Sequence, residues 1–215
     1  MKIKQDGKRI LVTIIGIVLV GLSAGVFRKT GFGTDPYTCM NLGLSSFFGM
    51  GFGTFQLLVN IVLLLLMLLL SRQFIGFGTF VNMIFMGYIS DFSLSVLDRL
   101  LGPALSLGFR LTLLFIAVIV ICIGAALYME ANLGIAPYDA MGYLLERIEK
   151  RRISYRYNRI ITDVVAVAIG FSFGSVVGIG TVILSFFTGP LITFFRDHFA
   201  SKVMGSPLTG KASAL

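Results

Sequence analysis

Residues 61–70 read IVLLLLMLLL, and the reading of this run decides the fold class. A strand of an outer-membrane barrel alternates apolar and polar positions, one row for lipid and one for lumen. This run has no second row, whereas a helix that is apolar on every face suits lipid. Extended outward it becomes residues 53–70, a stretch with no charged side chain and long enough as helix to cross a hydrocarbon core of about 30 Å.

Five further stretches have the same character: 10–27, 77–97, 111–129, 160–177 and 178–195. Only GSVVGIGT at 174–181 separates the most apolar parts of the last two, so a re-entrant pair or one broken span, and a total of five, stays open. The first stretch is long for the apolar part of a signal peptide and is followed by no Ala-x-Ala-like cleavage site, so it is expected to remain as an anchor helix. The composition agrees, with 56% hydrophobic and 13% charged residues and a mean hydropathy of +0.93, far from a soluble domain.

The net charge of +8 would suggest nucleic acid in a soluble chain, but the basic residues stand at the ends of apolar spans rather than on one aromatic-lined face. They describe topology instead. With the N-terminus in the cytoplasm, fourteen of the eighteen fall inside: Lys2, Lys4, Lys8, Arg9, Arg72, six between Arg147 and Arg159, then Arg196, Lys202 and Lys211. Arg28, Lys29, Arg99 and Arg110 fall outside. The positive-inside rule therefore predicts six spans with both termini cytoplasmic.

The chain also repeats itself. GFGTDPY at 31–37 returns as NLGIAPY at 132–138, pairing Gly33 with Gly134, Pro36 with Pro137 and Tyr37 with Tyr138, and Met40 with Met141 beyond them. GFGT at 76–79 returns as GIGT at 178–181. Three spans per copy is an odd number, so the second copy must enter from the opposite side, and the halves are predicted to be inverted about an axis in the membrane plane. The expected organisation is a cytoplasmic segment 1–9, a first membrane repeat 10–97, a connection 98–110, a second repeat 111–197 and a cytoplasmic tail 198–215.

In the first copy Thr34 or Asp35 can cap a helix beginning at Pro36, and in the second Pro137 can begin a helix with Asp139 in its first turn. Each copy thus sets a carboxylate where the helix dipole favours it. Two readings follow: ordinary helix starts, or half-helices whose ends face a cavity between the repeats. Residues 36–49 carry no charge and suit a re-entrant segment. The second copy reads as interfacial, with Tyr138, Met141, Leu144, Leu145 and Ile148 on one face and Glu149, Lys150 and Arg151 toward water or headgroups.

Polar residues inside the spans turn toward the bundle interior when they can. Asn60, Asn82, Asp91 and Asp163 are such residues. Asp163 follows Arg159 by one helical turn, which allows either a local ion pair or a proton- or cation-linked carboxylate with Asn60 as its counterpart in the first half. Asn82 suits either an interhelical hydrogen bond or substrate contact. Gly31, Gly33, Gly76, Gly78, Gly134, Gly178 and Gly180 read as backbone turns or packing positions; the Gly-x-Gly-Thr runs match neither a dinucleotide fingerprint nor a phosphate loop. Cys39 and Cys122 belong to no metal or redox pattern and read as packed thiols. His198 is the one histidine, and no nucleophilic triad or metal cluster is evident, so neither an enzyme nor a cofactor or metal is expected.

The segments GFGTDPYTCMNLGLS, NLGIAPYDAMGYLL and GIGTVILSFFTGP together resemble the YczE-like group of bacterial integral membrane proteins, similar also to the YyaS and YitT families, over residues 8–197. The resemblance implies a multi-pass plasma-membrane protein. YitT-like members often add a soluble C-terminal domain, which the residues after the last span here are too few to form. The leading expectation is a small secondary transporter or permease whose path is bordered by Asp35, Pro36, Tyr37, Asn60, Asn82, Pro137, Tyr138, Asp139 and Asp163. The alternative is a membrane scaffold or regulator in which Arg147, Lys150, Arg151, Arg152 and Arg156 meet a partner or anionic lipid. Expected partners are the bilayer, anionic lipid, a small-molecule or ion substrate and a second copy of the chain.

Overall fold

A computed structural model describes residues 2–149, 152 and 155–204, excepting the side chains of 2–5, 155 and 156. Among these residues the structure is helical, without strands. The helices are α1 (Lys2–Thr30), α2 (Pro36–Phe47), α3 (Phe52–Leu70), α4 (Phe77–Leu101), α5 (Leu107–Glu130), α6 (Pro137–Ile148), α7 (Tyr155–Ser172) and α8 (Ile179–Phe195), the last continuing through a π turn at Arg196–Ala200.

Five helices are long and apolar enough to cross a membrane: α1, α3, α4, α5 and α8 with its extension. The predicted span 160–177 differs from its expectation. Helix α7 carries Arg156, Arg159 and Asp163 within its length, which lowers its hydropathy. It also stops at Ser172 rather than running to residue 177, because Gly174 turns the chain at a φ of +84°, a conformation that costs glycine little. α7 and α8 are consequently two separate helices that meet at this turn.

The outer surface is apolar: Leu69 is 78% exposed, Phe115 68% and Phe186 67%. Rows of such residues are an aggregation hazard in water and a solvation shell in lipid. Inside, α1 is the central element, packed on both α4 and α5. Small residues bring the backbones together, since a Cβ at Gly16 would stand 2.6 Å from the Gly124 carbonyl and one at Gly25 2.8 Å from the Ser90 carbonyl. In a bilayer, where apolar burial between helices gains little over lipid, such close backbone contact is the main source of helix association. Ile17, Val20, Ala24 and Phe27 then meet Ile121, Cys122, Ala125 and Tyr128 in the largest core cluster.

Around this centre, α5 packs on α8, α2 on α7, and α6 on both α3 and α7. The Gly-x-Gly-Thr runs join the halves by matching contacts. The Gly78 N–H donates to the Leu133 carbonyl at 2.7 Å, and the Gly180 N–H donates to the Phe32 carbonyl at 2.8 Å. Thr79 and Thr181 each accept from the N–H of the glycine three residues before them, at 3.1 and 3.5 Å. The runs are therefore helix starts as well as packing surfaces.

Candidate functional site

α2 and α6 are each 12 residues long, about 18 Å at 1.5 Å per residue and too short to span the hydrocarbon. Each begins at a proline, whose missing N–H is no loss in a first turn. The two first turns meet: the rings of Tyr37 and Tyr138 stack at 4.4 Å between centroids, both buried. The distal ends part, with Phe47 against Phe173 beyond the end of α7 at 4.9 Å and Arg147 donating to the Leu70 carbonyl at the end of α3.

Each tyrosine hydroxyl reaches a polar side chain on a neighbouring helix. Tyr37 donates to Asn60 Oδ1 on α3 at 2.8 Å, and Tyr138 donates to Asp163 Oδ1 on α7 at 2.6 Å. Asn60 and Asp163 thus occupy equivalent places in the two halves. One turn earlier on each helix stand Gln56 and Arg159, separated by the same 103 positions as Asn60 and Asp163.

The second half is charged here. Arg159 donates to Asp139 Oδ1 at 2.8 Å and to Asp163 Oδ2 at 3.4 Å, and lies over the Tyr138 ring at 4.9 Å. Tyr128 donates to the other Asp139 oxygen. Asp139 lies in the first turn of α6, but its partners come from α5 and α7, so it ties three helices together rather than capping one. The cap expected in the first copy is present: Asp35 Oδ1 accepts from the Thr38 N–H at 3.0 Å. Several oxygens of the first half have no protein partner, namely Asp35 Oδ2, Thr38 Oγ1, Asn41 Oδ1 and Gln56 Oε1.

Asp35, Pro36, Tyr37, Asn60, Pro137, Tyr138, Asp139 and Asp163 therefore gather on or beside the two first turns. Asn82 is buried on α4 outside the contacts just described. Asp91, past the middle of α4, pairs with Arg28 at 2.7 Å and accepts from the Gly53 N–H at 2.8 Å. Of the expected lipid-facing residues, Arg147 is engaged with Leu70, Arg152 is exposed, Lys150 and Arg151 lie outside the described residues, and so does the side chain of Arg156. The apolar face of α6 is also revised. Tyr138 and Leu144 of that face are buried, but Ile148 is 57% exposed.

Sequence reasoning overlooked Thr38, Asn41, Gln56 and Tyr128. Signals existed: Tyr128 stands 101 positions after Phe27 and Asp139 101 after Thr38, so comparing the copies residue by residue marks where polarity changes. Among the described residues no three His, Cys, Asp or Glu side chains gather as a metal cage requires.

A polar centre enclosed by helices whose outer surfaces are apolar defines a helical membrane protein. Residues 7–197 match the model of a family described as a family of unknown function, DUF6198, and the chain belongs to that family. An uncharacterised protein of Haemophilus influenzae is 25% identical over 193 residues, covering 90% of this chain and 85% of its own. The uncharacterised protein YyaS of Bacillus subtilis is 25% identical over 206 residues, 87% of this chain and 94% of its own. The uncharacterised membrane protein YczE of the same organism is 25% identical over 179 residues, 83% and 80% respectively. No solved structure matches.

Proposed function

We propose that this chain is a small secondary transporter or permease of the bacterial inner membrane, built from two inverted three-helix repeats and moving a small solute or ion without chemically altering it. The observation that carries the reading is the meeting of two half-helix first turns at the stacked Tyr37–Tyr138 pair, with Asp35, Asn60, Asp139, Arg159 and Asp163 collected around it. Polar groups in hydrocarbon are costly unless they line a path or satisfy one another, and discontinuous helices at a repeat interface are a recurring way to build a solute site. Each half-helix leads from that centre toward a different membrane face, and a small rocking of one repeat against the other would open each route in turn. With fourteen basic residues inside, α2 opens to the periplasmic face and α6 to the cytoplasmic one, with both termini cytoplasmic.

The test is uptake by proteoliposomes containing the purified chain, screened across inorganic ions, amino acids and organic cations, with Pro36→Ala and Pro137→Ala measured against any solute that enters. The reading expects a saturable uptake that both substitutions reduce while leaving folded protein. No uptake of any class above protein-free vesicles, with folded protein present, contradicts it.

A further inference from the structure

We propose that the first turn of α2 holds a monovalent cation, alkali-metal or ammonium, on Asp35 Oδ2, Thr38 Oγ1 and Asn41 Oδ1. Asp35, Thr38 and Asn41 follow at spacings of three and share one face of the helix. Thr38 and Asn41 are both 0% exposed, and none of the three oxygens has a partner at full hydrogen-bond geometry, the Thr38 hydroxyl standing close enough to act on the Asp35 carboxyl. Asn41 cannot turn its amide to relieve this, because Nδ2 is already committed to the Tyr37 carbonyl at 2.7 Å, which leaves Oδ1 as a fixed acceptor.

A helix N-terminus by itself favours an anion. Here the terminus is already occupied by an internal one, since Asp35 accepts the Thr38 N–H. The atoms left over are a carboxylate oxygen, an amide oxygen and a hydroxyl oxygen; the first two have nothing to offer an anion, and all three present lone pairs to a cation. An unmatched buried acceptor costs on the order of 1–3 kcal/mol, more when charged, so the site favours an occupant that coordinates all three.

Comparison of the halves points the same way. In the second half the carboxylate of the first turn, Asp139, is neutralised by Arg159. The residue matching Arg159 in the first half is Gln56, which brings no charge; Arg159 acts on Asp35 only at a distance, its guanidinium being bonded to Asp139 and Asp163. One half has a built-in cation and the other has the ligands for a mobile one. A single carboxylate balances a single charge, and a divalent ion in this interior would leave its second charge uncompensated.

In a transporter this cation would be the coupling ion or the charged end of the solute, and that role rests on the function proposed above; the binding itself does not. It is measured on the purified full-length chain in detergent, as the rise in unfolding temperature with sodium, potassium or methylammonium chloride, each against choline chloride at equal ionic strength. The expected result is a saturable rise with at least one small cation. Asp35→Asn, which keeps a competent cap, abolishes the rise while its unfolding temperature in choline stays near that of the parent. Thr38→Val, which removes one ligand of a charge, weakens half-saturation about tenfold. A sodium-selective response marks an alkali site and a methylammonium-selective one an amine site. Equal unfolding temperatures in all four salts, or an undiminished response in Asp35→Asn, overturn the proposal. Cation binding without uptake would refute the transporter reading alone, and cation-independent uptake without binding would refute the cation site alone.

Discussion

Arg159 meets two carboxylates and an aromatic ring in the interior. Its guanidinium joins Asp139 and Asp163, whose side chains are 21% and 13% exposed against 30% for its own, so solvent screens these pairs only in part. Arg159→Met should leave two carboxylates facing each other without a counter-charge and cost about 3 kcal/mol, at the low end for a buried pair because of that screening. Thermal unfolding of the purified variant measures it. Asp163→Asn should be far milder, since it gives the second half the arrangement of the first, in which Tyr37 donates to Asn60. Its unfolding temperature should stay within a few degrees of the parent while solute uptake falls. The Arg159–Asp163 pair was legible from helical spacing alone, and so was the Asp35 cap from its place before Pro36. The ties from Tyr128 and Arg159 to Asp139 were not, because they join α5, α6 and α7, and periodicity within one helix carries no information about which face a second helix will meet.

Helix ends are where glycine decides the architecture. Gly33 and Gly134 have φ values of +92° and +105°, and a Cβ would stand 2.8 Å from the Gly178 nitrogen at the first and 2.6 Å from the Gly76 nitrogen at the second. Gly33→Ala and Gly134→Ala should each destabilise by about 2–4 kcal/mol, combining left-handed backbone strain with displacement of a packed backbone. Gly108→Ala has open space around it and should be neutral or stabilising by up to about 1 kcal/mol through helix propensity. Unfolding temperatures of the three variants, measured side by side, separate a structural glycine from an incidental one. The sequence marked these positions through their repetition. It placed the end of α7 five residues too far along because Phe173, Val176 and Val177 extend the apolar run past the helix, and hydropathy does not register where Gly174 turns the backbone.

At the scale of the whole molecule, the proposal is that two copies of one unit lie in opposite orientations and that their half-helices lead to opposite faces. The all-helical class could be read from the uniform apolar runs, and the repeated Gly-x-x-Pro-Tyr segment is what suggests the duplication. The number of full spans could not, since α7 combines the length of a crossing helix with the charges of the polar centre. Labelling of introduced cysteines with a membrane-impermeant maleimide in intact cells tests the orientation most directly. The parent's Cys39 and Cys122 are buried and should react little. Ser46→Cys, exposed near the end of α2, should react in intact cells, and Arg152→Cys, exposed beyond the end of α6, should react only after the cells are opened. Reaction of both sites from the same side would contradict the inverted arrangement, and with it the two-faced route on which the proposed function depends.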